Sequence, residues 1–135
     1  MESFFADTSF FYSLIDKNEG DYHRRASAWL SETIGRVHLI SSNYIFDELV
    51  TLILIRLDKA TCMAACEKLR QSPTIHWHFI DQSEEAESWN LFTHYRDKAW
   101  SFTDCTSHVL MKSLKLTSIL TWDHHFAQMG FSMVL

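Results

Sequence analysis

Ser3-Phe4-Phe5-Ala6-Asp7-Thr8-Ser9 is the stretch that decides how the chain is read. A short apolar run stops at an acid, and Thr8 to Lys17 continues with helix-like apolar spacing. Ser3–Ala6 is therefore expected to be a first strand, buried on both faces and followed by a helix. The pattern repeats outward. Tyr22, Ala26, Trp29, Leu30, Thr33 and Ile34 recur at steps of three and four, and Gly35 closes that helix. Val37–Ile40 is a second strand, Ser41 and Ser42 are candidate caps, and a helix is expected over Asn43–Leu57. Asp58 can cap the next helix, which stops before Pro73. Ile75–Ile80 is a third strand. Ser83–Lys98 is a helix with Ala86, Trp89 and Thr93 on one face. Ser101-Phe-Thr-Asp104 has the form of a capping box with the acid at the third helical position, and that helix runs to Leu114. Thr117–Thr121 is a fourth strand, His124–Met129 a helical turn, and Phe131–Leu135 a fifth strand. Short strands alternating with helices predict a three-layer α/β/α sandwich around a central parallel sheet.

With 135 residues, a single domain spanning 1–135 is expected. The hydrophobic fraction of 47% supports a core, and three Gly with one Pro exclude a turn-rich or collagen-like chain. Twelve Lys and Arg stand against seventeen Asp and Glu, a net charge of −5, so a nonspecific basic coat for nucleic acid is excluded. Cys62, Cys66 and Cys105 lack zinc spacing and are expected as buried, reduced thiols, consistent with a cytoplasmic protein. Asp7 interrupts the apolar start, and no basic segment precedes it, so no signal peptide is expected. The longest apolar run, around Leu49–Ile55, is too short for a bilayer, so no membrane partner is expected.

Open α/β sheets bind their substrates beyond the C-terminal ends of the strands. Four acids fall at or near that edge. Asp7 ends the first strand, Asp123 follows the fourth, Asp104 lies in the first turn of a late helix, and Glu48 sits among Ile45, Leu49, Leu52 and Ile53. Each alone reads equally as a cap or a solvated side chain. Aimed at one crevice, they would repel and raise one another's pKa, a penalty that a hard divalent cation removes. Ligands that are all oxygen select Mg²⁺ or Mn²⁺.

In order, Phe5-Ala-Asp7-Thr-Ser9, Asp47-Glu48-Leu49, Ser101-Phe-Thr-Asp104 and Leu120-Thr-Trp-Asp123-His-His-Phe126 resemble the PIN domain, in particular the VapC-like toxins of toxin–antitoxin modules. The resemblance spans essentially the whole chain. It implies a metal-dependent ribonuclease with Asp7, Glu48, Asp104 and Asp123 as the catalytic, metal-binding acids. Thr8 and Thr121 would then be groups that position water or the acids. The resemblance also implies 5′-phosphate and 3′-hydroxyl products, a homodimer, and an antitoxin whose tail covers the active-site groove and offers a basic side chain to the acids. A divalent metal eases deprotonation of a water and stabilises charge on phosphate and leaving oxygen, so no Ser, Cys or His nucleophile is required. Setting the four acids aside leaves thirteen against twelve bases, nearly neutral. Arg24, Arg25, Arg56, Lys59, Lys112 and Lys115 are candidates for contact with the RNA backbone, although such residues are ordinarily just solvated surface.

The remaining polar and aromatic residues read as structural. His124 and His125 are expected as a solvent-facing first turn, and His76 with His78 lack a third ligand. The five Trp are read as core, with Trp122 singled out because it adjoins an acid. The Asn43–Leu57 helix is apolar nearly all round and needs cover on more than one side, for which a second copy of the chain is a candidate. A phosphatase of the haloacid dehalogenase type is excluded because Thr8 and Ser9, not a second acid, follow Asp7. A catalytically silent PIN-like module that binds RNA or protein is the remaining alternative. Such a module would be expected to have lost acids, and this chain has all four.

Overall fold

The computed structural model describes residues 1–135. Five strands, β1 (Glu2–Ala6), β2 (Val37–Ser42), β3 (Ile75–His78), β4 (Ser118–Leu120) and β5 (Ser132–Met133), form one sheet in the order β3-β2-β1-β4-β5. Every neighbouring pair is parallel. The helices are α1 (Thr8–Ile15), α2 (Asp21–Thr33), α3 (Asn43–Arg56), α4 (Lys59–Gln71), α5 (Gln82–His94), α6 (Phe102–Ser113) and α7 (His125–Gln128). The chain moves one way across the sheet from β1 to β3 and the other way from β3 to β5. Right-handed crossovers therefore put α1–α4 on one face and α5–α7 on the other. The expected three-layer sandwich is thus borne out. β1 lies where the direction reverses, so the crevice between the ends of β1 and β4 is the place this topology offers a ligand.

The caps fix where each helix starts. Ser42 Oγ accepts from Ile45 N at 3.2 Å, Asp58 Oδ1 from Thr61 N at 2.8 Å, and Asp81 and Ser101 each make a reciprocal capping box. Gly35, at φ +84°, supplies the left-handed turn after α2. The buried cluster includes Phe4, Phe5, Phe10, Phe11, Leu39, Leu110, Ile119 and Phe126, so aromatic rings fill much of the core.

Several boundaries differ from the sequence reading. The Thr8–Lys17 helix stops at Ile15, because Asp16 accepts from Asn18 N and starts a separate 3₁₀ turn over Lys17–Glu19. Ser41 is not a cap. It lies in β2, and its hydroxyl donates to Ala6 O on β1. β3 stops at His78, after which Ile80 N donates to Asn43 Oδ1. The helix expected to reach Lys98 ends at His94. Lys98 N closes a turn on Tyr95 O, and Trp100 buries its ring while donating to Gln128 Oε1. Ala86, Trp89 and Thr93 face solvent, while Ser88 is buried and Leu91 half-buried against the core. The fifth strand spans two residues rather than five.

Candidate active site

All four acids singled out in the sequence line one cleft of about 330 Å³, together with Thr8, Ser9, Tyr12, Arg56, Ser101 and His125. Four separate segments deliver them. Asp7 follows β1 directly, Glu48 lies on α3, Asp104 in the first turn of α6, and Asp123 just beyond β4. β1 pairs with β4 through Ala6 and Leu120, and Asp7 N donates to Leu120 O, so the chain segments bearing Asp7 and Asp123 leave the sheet side by side.

Asp7 is 5% exposed and Asp104 7%, whereas Glu48 and Asp123 are half-buried. A network of hydroxyls fixes Asp7. Thr121 Oγ1 donates to Asp7 Oδ2 at 2.7 Å, and Ser9 Oγ lies 3.3 Å from the same oxygen. Thr121 Oγ1 accepts from Asp123 N at 3.0 Å, and Ser9 Oγ accepts from Trp122 N at 3.0 Å. Thr121 thus ties the backbone of one acid to the carboxylate of another. Burial first, and then the charges of Asp104 and Glu48, push the Asp7 carboxyl up to about 7 against the pull of the Thr121 hydrogen bond.

Asp104 Oδ2 accepts from Ser101 N at 3.1 Å, so the capping box that starts α6 also orients this acid. His125 Nδ1 lies 3.1 Å from Asp104 Oδ2 and 3.4 Å from Asp123 Oδ1. The expectation of a solvent-facing pair is therefore corrected for His125 and holds for His124, which is exposed. His125 N donates to Asp123 Oδ1 at 2.9 Å, a turn that brings its ring back over the acids. Ser9 is another cleft residue whose role the sequence did not single out. It sits two positions after Asp7, in the first turn of α1, where a short hydroxyl can reach back to the carboxylate.

Ligand-capable atoms of Asp104, Asp123 and His125 all lie within 4.8 Å of one another. Asp7 and Glu48 line the same cleft outside that group. The Thr8 hydroxyl is buried there with no hydrogen-bond partner. Clustered carboxylates, a carboxyl whose charged form is disfavoured, and an orphaned hydroxyl fit a divalent cation with mostly oxygen ligands.

The other candidates resolve simply. Trp122 donates from Nε1 to Ser13 Oγ and packs its ring on Tyr22, with Arg25 on it as well, so it is half-buried structure. His78 is held by Glu84 and His76 is exposed, so no metal pair forms on β3. The three cysteines are free and buried. Burial pushes the Cys105 thiol up to about 11, with Asp104 adding to the rise, so it is protonated at neutral pH.

The fold is the one seen in solved toxin structures of the VapC type, and the similarity extends along nearly the whole chain, in line with the resemblance carried by the motifs. Over 127 residues, 94% of each chain, it is 24% identical to the 23S rRNA-specific endonuclease VapC20 of Mycobacterium tuberculosis. The crystal structure of that protein, described as a sarcin–ricin loop cleaving toxin, superposes with a TM-score of 0.85, covering 97% of this chain and 98% of that one. VapBC2 from Rickettsia felis, bound to a promoter DNA fragment, matches at TM-score 0.72 and 10% identity, with 98% and 97% covered. FitAcB from Neisseria gonorrhoeae matches at 0.70 and 19% identity, with 98% and 96% covered. No protein-family profile matches the chain.

Proposed function

We propose that this protein is a metal-dependent endoribonuclease and the toxin half of a toxin–antitoxin pair. The observation that carries the reading is the convergence of Asp7, Glu48, Asp104 and Asp123, from four separate segments, on one cleft at the sheet's point of reversal. The 23S rRNA-specific endonuclease activity named for VapC20 supports the reaction class and makes 23S rRNA the first substrate to test.

Within the cleft, Asp7, Glu48, Asp104 and Asp123 would hold Mg²⁺ or Mn²⁺. The bound cation would supply Lewis-acid chemistry, easing deprotonation of the attacking water and neutralising charge on the phosphate and the departing oxygen. The chain's own part is to place oxygens and keep them placed. Thr121 and Ser9 lock Asp7, Ser101 locks Asp104, and the turn from Asp123 to His125 sets the last acid. The Thr8 hydroxyl, without a protein partner, is available to position a water beside Asp7. No covalent nucleophile competes. Cys105 is a buried thiol, and Ser9 is occupied within the Asp7–Thr121 network. Attack by water on phosphorus with departure of the 3′ oxygen leaves 5′-phosphate and 3′-hydroxyl ends.

An antitoxin partner is supported by the toxin–antitoxin nature of the VapBC2 match. A basic side chain from such a partner would meet the same acids that hold the cation. A homodimer through α3 is supported by Ile55 and Leu54, which stay exposed on that helix. No helix is long and apolar enough to cross a membrane, and free, buried cysteines suit the reducing cytoplasm.

The test is incubation of the purified protein with 23S rRNA under a Mg²⁺ and Mn²⁺ titration, with end-group analysis of the products. Cleavage that rises with metal, stops in excess EDTA and leaves 5′-phosphates supports the reading. Cleavage that persists in EDTA, or none at any metal concentration, contradicts it.

A further inference from the structure

One Lys or Arg lines the acid cleft. Arg56 ends α3 two turns beyond Glu48, with Leu52 between them on the same helical face, and all three border the cleft. Its neighbours among the candidate bases are engaged elsewhere: Arg24 and Arg25 both pair with Asp21 on α2. Arg56 makes no ion pair within 4.0 Å, although Asp7, Glu19, Glu48, Asp104 and Asp123 border the same cleft. Its guanidinium lies over the face of Tyr12 instead, 5.1 Å from the ring centroid. Tyr12 is fully buried and is itself clamped, its hydroxyl donating to Asp16 Oδ2 at 2.7 Å. The ring therefore steadies the guanidinium and leaves its N–H groups uncommitted to any carboxylate.

A held, exposed cation without a carboxylate, at the rim of an acidic cleft, is placed for an anion that arrives from outside. We propose that Arg56 binds a backbone phosphate of the RNA strand next to the bond that is cut, and so sets the register of the strand over the acids. This rests on the ribonuclease reading. Eight residues of helix separate Arg56 from Glu48, about 12 Å along the axis. The phosphate it takes is accordingly a flanking one, and Arg56 is a positioning residue. The planar guanidinium suits two parallel hydrogen bonds to phosphate oxygens, which a Lys cannot reproduce.

The experiment measures binding of a fluorescently labelled single-stranded RNA in an Asp7→Asn background, where cutting is suppressed, between about 50 and 200 mM salt. Arg56→Gln should weaken binding on the order of tenfold. It should also flatten the slope of log affinity against log salt by about 0.7, the signature of one lost phosphate contact on a single strand. Arg56→Lys should restore the slope and only part of the affinity. Unchanged affinity and slope in Arg56→Gln overturn the proposal. Weaker binding with an unchanged slope also overturns it, since the side chain would then act through its packing on Tyr12. Should Arg56→Gln fail to fold, as judged by thermal melting, Arg56→Lys decides: full wild-type affinity with Lys in place contradicts a two-pronged contact. Cleavage by the wild-type chain, run in parallel, reports on the ribonuclease reading separately from these slopes.

Discussion

Asp7 concentrates the site's electrostatics in one side chain. Its carboxyl holds a proton more tightly when folded, at about 7, than at the ordinary value of 3.8 expected unfolded. Between those values the folded state binds more protons than the unfolded one, so the metal-free protein should lose stability as pH rises from about 4 to about 7 and level off above that. The full effect is roughly 4 kcal/mol. Urea unfolding of metal-free wild type at pH 5 and pH 7.5 checks this, with Asp7→Asn expected to abolish most of the difference. A pH-independent wild type would mean that the carboxyl is not disfavoured by its surroundings. The four acids were legible in the sequence for different reasons: Asp7 and Asp123 stand where an apolar run ends, Asp104 completes a capping box, and Glu48 is an acid among the apolar residues of a helix. His125 was not. Two adjacent histidines carry no directional signal, and only the backbone turn from Asp123 decides which of them faces the acids.

Among the elements, α6 shows how one local signal serves both folding and the site. Ser101 and Asp104 exchange hydrogen bonds across the first turn, which starts the helix and aims the acid. Ser101→Ala should cost about 1 kcal/mol of stability and should also weaken metal binding, because the first turn that carries Asp104 loses the hydroxyl that accepts from Asp104 N. Ser42→Ala, which removes the cap of α3, should cost a similar amount with a smaller effect on metal binding, since Glu48 lies well inside that helix. Chemical denaturation alongside metal titration separates the two. Equal metal affinity in Ser101→Ala and wild type would detach the capping box from the site. Capping boxes and helix periods are written in short windows, which is why α2, α3, α4 and α6 were legible from sequence to within about a residue of their ends. The inner face of α5 was not. Trp89 is large and apolar yet 56% exposed, stacked on Phe92, while the small Ser88 turns inward and bonds to Glu84 O. Apolar spacing reports preference, and the neighbouring helix decides which face can approach closely.

At the scale of the molecule, topology turns scattered residues into a site, since a sheet ordered β3-β2-β1-β4-β5 must open a crevice beside β1. A cation bound only by the folded chain should stabilise it by about 2.7 kcal/mol at a hundred times its Kd. A melting temperature unmoved by millimolar Mg²⁺ and Mn²⁺ would count against a metal site. Ile55 is 75% exposed on α3 and Met63 59% exposed on α4, so this flank should be covered by a second copy. Light scattering at micromolar concentration should then give twice 15.9 kDa, and a concentration-independent mass of one chain would refute the dimer. The central claim is that the buried carboxylates carry out metal-dependent RNA cleavage. Its most direct measurement is the cleavage rate of wild type, Asp7→Asn and Asp104→Asn on 23S rRNA at saturating Mg²⁺, with folding checked by circular dichroism. The account predicts a rate lower by orders of magnitude in both folded variants. Wild-type rates in either would contradict it.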